Sequence, residues 1–294
     1  MVRIAKRMRI IGAIAAMFFL PLAGACLPTT PAEAAQAYTP HDVIQIDGDS
    51  DFVAENGITE GQGTEEDPYI IEGWVINASL AAGSAGGIQI SHTDAHFKIR
   101  NVRVEFGGPL YTGIWLSNVR NASVEDSVLV DNYEGITLNS TVSLTIRNNT
   151  LVNNSFSGIY AVASEYVDIE LNEINGSRHG VYSHLCEQVQ ITDNVISDNE
   201  YGVYLNCSSD SSISGNDIAG NQYGIYLTEC NDIDMNSNSL VGNDVPVYDS
   251  SSPNGDDETD SLVIPGVLIA VFAAVVIVVC AVVVVLVRRR KWLG

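Results

Sequence analysis

One phrase recurs along the chain. Gly87-Ile88-Gln89-Ile90 returns as Gly113-Ile114-Trp115-Leu116, Gly135-Ile136-Thr137-Leu138 and Gly158-Ile159-Tyr160-Ala161. It continues as Gly180-Val181-Tyr182-Ser183, Gly202-Val203-Tyr204-Leu205 and Gly224-Ile225-Tyr226-Leu227. The glycines stand 26, 22, 23, 22, 22 and 22 residues apart, and a faded copy, Pro246-Val247-Tyr248, lies 22 further on. A period this short makes a solenoid, because each unit buries its apolar side chains only by stacking on the next.

Period-two alternation decides which solenoid. In Gly202-Val203-Tyr204-Leu205, Val203 and Leu205 point one way and Tyr204 the other, as in a strand. A second apolar pulse follows at Val124, Ile146, Ile169, Ile191, Ile213 and Met235. A third follows at Leu129, Leu151, Ile174, Ile196, Ile218 and Leu240. Three short pulses separated by Asn, Ser, Asp and Gly mean three short strands and three turns per coil, and none is long enough for a helix. The expected fold is all-β: a right-handed parallel β-helix, with each strand bonded to its counterpart about 4.8 Å away in the next coil. Fourteen residues after each glycine stand Ser127, Asn149, Asn172, Asn194, Asn216 and Asn238. Stacked at a turn, these asparagines should form a structural amide ladder.

The ends differ in kind from the middle. Residues 1–35 carry a basic start, an apolar stretch from Ile10 to Leu22 and Ala32-Glu33-Ala34, the pattern of a secretion signal. An uncleaved anchor, or lipid attachment at Cys26, are the alternatives. Leu262 to Val287 is uncharged and strongly apolar, long enough to cross a bilayer. Arg288-Arg289-Arg290-Lys291 follows at once, which places the 288–294 tail in the cytoplasm and the repeats outside. Between the repeats and this span, residues 249–261 read as an acidic, flexible stalk. The formal net charge is −22, and all but one of the 36 Asp and Glu fall between 36 and 261, where only six Lys and Arg stand. Such a surface excludes nucleic acid as a partner.

Residues 36–80 precede the regular repeats (81–248) and are expected to be an N-terminal cap and first coil, since an open β-helix end invites edge pairing. Here a resemblance becomes specific. Asp47-Gly48-Asp49-Ser50-Asp51-Phe52 and the stretch Gly57-Ile58-Thr59-Glu60 through Asp67-Pro68-Tyr69-Ile70-Ile71-Glu72-Gly73-Trp74 resemble the opening segment of archaeal surface proteins with NosD-type repeats. The Gly-Ile-Tyr-Leu units resemble the same family's parallel β-helix repeats, over about 44–248. That family is named for a periplasmic copper-related accessory protein of nitrous oxide reductase. Its repeats also occur in carbohydrate-binding and sugar-hydrolysis domains with a pectin-lyase-like fold. The resemblance implies the fold, and leaves the activity open.

Candidate sites are sparse. Tyr160, Tyr182, Tyr204, Tyr226 and Tyr248 take the outward position of the first strand, with Trp115 in line. They should form an exposed ladder with one ring per coil, close to the repeat of a sugar polymer, or else simply pack on each other. Catalysis is less well served, because the outward positions Gln89, Trp115, Thr137 and Tyr offer no paired carboxylates. Asp168 and Glu170 share an outward face with nothing stacked to complete a site. Asp47, Asp49 and Asp51 alternate as calcium ligands do, although Phe52 and Ile58 replace the Gly and Glu of a helix–loop–helix site. His184 and Cys186 would suit copper or zinc. Yet Thr141, Ser164, Cys186, Ser208 and Cys230 share one repeat position that reads as buried packing. Cys207 could bridge to either neighbouring cysteine outside the cell. Glycan acceptor sequences occur at Asn77, Asn121, Asn139, Asn148, Asn153, Asn175 and Asn206.

The reading is a membrane-anchored extracellular repeat protein, single-pass, binding surface polysaccharide or an envelope protein, with no resident cofactor required. A polysaccharide-cleaving or epimerising enzyme and a copper-related metal-handling protein are the alternatives.

Overall fold

The computed structural model describes residues 38–250. The expected signal at 1–35, membrane span at 262–287, tail at 288–294 and nearly all of the expected stalk lie outside the described residues. Among those described, no helix is long and apolar enough to cross a membrane.

The chain winds as a right-handed parallel β-helix, three strands to the coil. The first face contains Ile44–Asp47, Gly86–Thr93, Glu134–Asn139, Ser157–Val162, His179–His184, Tyr201–Asn206, Tyr223–Thr228 and Val245–Asp249. The second contains Tyr69–Glu72, Phe97–Arg100, Val142–Arg147, Glu165–Glu170, Glu187–Thr192, Ser209–Ser214 and Asn231–Asn236. One long strand, Thr112–Glu125, bends from the first face into the second. Eight three- or four-residue strands form the third, from Thr39–His41 to Asp217–Ala219. Register is kept from coil to coil: Tyr160 lies over Tyr182, Tyr182 over Tyr204, and Ile169 over Ile191.

The apolar pulses fill the interior. Ile114, Ile136, Ile159, Val181, Val203 and Ile225 have no accessible surface, nor do Ile146, Ile169, Ile191 and Ile213. Each such burial contributes about 1.5–3 kcal/mol. The repeat glycines sit where a side chain would strike backbone: a Cβ on Gly180 would come within 2.5 Å of the Gly202 carbonyl oxygen. The bends are made by left-handed residues, among them Asp126, Asn148, Leu171 and Asp193, all with φ between 50° and 57°. Those that are neither Asn, Asp nor Gly carry a steric cost that the stack must offset.

Buried asparagines hold the bends. Asn172 donates its backbone N–H and its amide to Asn194 Oδ1, both at 2.9 Å, and its amide also reaches the Ile146 carbonyl at 2.9 Å. Asn149, Asn194, Asn216 and Asn238 share this column. A second column, not foreseen from the sequence, runs through Asn132 and Asn154, then Asn199, Asn221 and Asn243. Ser177 interrupts it: its N–H donates to Asn199 Oδ1 at 2.9 Å, but its own hydroxyl is buried without a partner.

At the N-terminal end, Phe52 stacks on Tyr69 at 4.4 Å and Trp74 Nε1 donates to the Gly57 carbonyl at 2.9 Å. Ile58–Glu60 pairs antiparallel with Tyr69–Glu72 across the first turn. The last described strand carries Pro246, which lacks a ladder donor and blunts that edge.

Ser177→Asn should complete the second column and raise unfolding stability by about 1 kcal/mol, read by chemical denaturation. Ile191→Asp should do the opposite, removing about 1.5–3 kcal/mol of burial and adding an unpaired buried charge. A normally melting Ile191→Asp protein would contradict the register.

Candidate functional site: an aromatic face and a buried carboxyl

The outward positions of the first face form a sheet of rings. Tyr160, Tyr182, Tyr204, Tyr226 and Tyr248 follow one another with centroids 5.2, 4.8, 4.9 and 4.5 Å apart. The sequence expectation was an exposed ladder. In the fold the first four are only partly exposed, because each ring covers the next. Tyr182 and Tyr204 lie nearly parallel, at 14°, so they offer solvent their edges and hydroxyls instead of their faces. Tyr226 breaks the stack by turning 78° from Tyr204. Trp115 is in register with Thr137, so a non-aromatic residue separates it from Tyr160.

A second aromatic column doubles the first. His179, Tyr201 and Tyr223 precede the repeat glycines and stack at 5.2 and 5.1 Å. Phe156 contacts Tyr133, Tyr160, His179 and Tyr182. The signal was present in the sequence as Tyr-Gly at 201–202 and 223–224, but it lies outside the alternating positions and was missed. The face is electrostatically quiet. Burial raises the Tyr160, Tyr182 and Tyr226 phenols and takes Tyr201 to about 12. Burial, then the Arg178 charge, lower His179 to about 4, so its ring is neutral near pH 7.

Glu134 heads the second column, in register with Ser157. Only 6% of it is accessible. Its Oε2 accepts from the hydroxyls of Thr112 and Thr137. Burial raises its pKa, against the lowering effect of both hydroxyls. Nothing in the repeat marks this carboxyl, because it sits one residue before the glycine, where the adjacent coils carry Thr112 and Ser157.

The remaining candidates do not converge. Asp47 contacts His92 Nδ1 at 2.6 Å, Asp49 accepts from Thr93, and Asp51 accepts the Asp47 N–H at 3.1 Å. The Cys186 thiol is buried and donates to the His184 carbonyl at 3.4 Å. Burial raises that thiol, against the form a metal needs. No disulfide links Cys186, Cys207 and Cys230. Asp168 is raised, by burial first and then by the Glu170 charge, while Glu170 pairs with Arg147 at 3.1 Å. Of the glycan acceptors, Asn77, Asn121, Asn148 and Asn153 are exposed, and Asn139, Asn175 and Asn206 are half-buried.

The family model described as periplasmic copper-binding protein (NosD) matches residues 44–259. No curated protein matches the sequence. Among solved structures, the A-module of a mannuronan C-5 epimerase from Azotobacter vinelandii aligns at 17% identity and TM-score 0.53, over 62% of this chain and 53% of that one. A double mutant of a periplasmic alginate epimerase aligns at 16% and 0.47, over 58% and 45%. The Streptococcus pneumoniae surface adhesin PfbA aligns at 13% and 0.38, over 69% and 70%. The chain thus spans about half the length of the two epimerase structures, and the first likeness shows the fold. The family description raises copper. A copper centre needs several nitrogen or sulfur donors at one point, and among the described residues no three of His, Cys, Asp and Glu gather to hold a metal. The described residues therefore do not fit copper.

His179 supplies a pH test. Its folded pKa lies below the ordinary value, so the unfolded chain takes up the proton first as pH falls. Stability should drop between about pH 6.5 and pH 4, by roughly 3 kcal/mol at most. In His179→Phe denaturation curves that drop should be smaller.

Proposed function

The chain belongs to the family described as periplasmic copper-binding protein (NosD), and from that premise we propose a non-catalytic surface protein that binds polysaccharide along its aromatic face. The observation that carries this reading is the double column of rings, paired in the three coils of Tyr182, Tyr204 and Tyr226 and extended by Phe156 and Tyr160 at one end and Tyr248 at the other. Folding alone does not call for it, since the core is already complete inside the coils. The coil spacing is close to the length of one sugar unit. Because the rings stack on one another, contact would come from ring edges and phenolic hydroxyls. Tyr204, whose hydroxyl already meets Thr228 at 3.2 Å, shows the type of bond available.

This face would lie outside the cell. The signal at 1–35 would export the chain, the 262–287 run would anchor it once in the membrane, and the 249–261 stalk would hold the coils clear of the bilayer. A protein ligand on the same face, and glycans on the exposed acceptor asparagines, are compatible with that arrangement. A glycan-cleaving role lacks a second carboxylate beside Glu134 among the described residues.

The test is binding of the full-length chain to a polysaccharide panel, beside Tyr182→Phe/Tyr204→Phe/Tyr226→Phe. This variant keeps the rings and removes three hydroxyls. It should stay folded, melting slightly earlier for the loss of the Tyr204–Thr228 contact, and bind about tenfold more weakly or worse, at about 0.5–1.5 kcal/mol per lost hydrogen bond. The polymer should leave a sizing column at its original length. A shortened polymer would replace this reading with an enzymatic one.

A further inference from the structure

Resting on the reading of the aromatic face as a polysaccharide surface, we infer that it selects chains bearing amino groups, with Glu134 receiving the ammonium of one sugar unit at the head of the aromatic run. The geometry singles out this carboxyl. Thr112 and Thr137 both donate to Oε2 and so fix the side chain, while Oε1 takes no protein donor and is not among the sealed, unpartnered atoms. One lone-pair-bearing oxygen is thus held at the surface of a side chain that is otherwise buried. Tyr133 and Tyr160 lie close enough to feel the Glu134 charge. A desolvated carboxylate beside aromatic rings favours an organic ammonium over a sugar hydroxyl.

The surrounding charge points the same way. Every Lys and Arg of the described residues is already committed to an acid: Lys98 to Glu125, Arg100 to Glu72, Arg103 to Glu105, Arg120 to Asp94, Arg147 to Glu170 and Arg178 to Glu200. No described Lys or Arg is left over to receive a polyuronate. Exposed Glu229 and Asp244 flank the later coils of the face. A polyanion such as mannuronan, after which the matching epimerase is named, would meet repulsion at Glu134 and at Glu229 and Asp244, and a polyamine would meet attraction.

The protonation states fit. Burial holds Glu134 above its ordinary pKa, the phenols of Tyr133 and Tyr160 are raised and uncharged near pH 7, and His179 is neutral there. Arg178, whose charge lowers Tyr133, is balanced by Glu200. Ammonium binding requires the carboxylate, so it drives a proton off any Glu134 still protonated. Affinity therefore rises with pH through the Glu134 pKa and falls again where the sugar amines lose their own protons.

Calorimetry on the full-length chain tests this with three probes: a chitosan oligomer, its fully N-acetylated counterpart and an oligomannuronate. The wild type should bind the amino form at least tenfold more tightly than the acetylated one. Glu134→Gln should lose that preference and keep its affinity for the acetylated oligomer. Equal or tighter binding of the acetylated or the uronate probe by the wild type would overturn the inference and leave the polysaccharide reading standing. Binding of none would overturn both. Should Glu134→Gln fail to fold, the wild type is titrated at acidic pH in two buffers of different ionisation heat. Proton release with the amino probe alone is expected, and its absence refutes the inference.

Discussion

Each bend of this molecule is completed by the coil that follows it. A buried N–H at the end of the second face has no strand partner inside its own coil. It is met by the side-chain oxygen of the asparagine one coil along, as Asn172 is by Asn194 and Asn194 by Asn216. An unpaired buried amide costs more than a made bond gains, so the column makes every coil dependent on its neighbour and keeps the register from slipping. The register in turn sets the 5 Å spacing of the outward rings. The aromatic face is thus a consequence of the same repeat that buries Ile191 and Ile213.

That dependence explains what was legible in the chain. Gly-Ile-Tyr-Leu at a steady interval reveals the strand, the inward pair and the outward ring together, because alternation and stacking leave few other arrangements. Asn149 through Asn238 were legible as a ladder for the same reason. The second ladder was harder to see. Asn132, Asn154, Asn199, Asn221 and Asn243 lie at a bend, and Ser177 breaks their run. Ring orientation was not legible at all. Whether Tyr182 shows its face or its edge depends on how Tyr160, Tyr204 and His179 pack around it, and spacing carries no such information. Glu134 escaped because its meaning comes from Thr112 and Thr137, which are 22 residues before and three after it.

Family membership and local chemistry point in different directions. The family description speaks of copper, while the donors among residues 38–250 do not gather: the Cys186 thiol donates to the His184 backbone carbonyl, the His184 Nδ1 is buried without a partner, and Asp47, Asp49 and Asp51 are occupied by His92, Thr93 and one another. A shared coil preserves the residues that make coils, and those residues are not the ones that hold ligands. On the first face rings accumulate from Phe156 onward, and among the described residues every Lys and Arg is paired with an acid.

The most direct measurement is hydroxyl-radical footprinting of the full-length chain with and without bound polysaccharide, read tyrosine by tyrosine. Tyr166 stands half exposed on the second face and serves as an internal reference. Oxidation of Tyr182, Tyr204 and Tyr226 should fall on binding while that of Tyr166 does not change. Equal protection of Tyr166, or no protection of the three, would contradict the assignment of binding to the aromatic face.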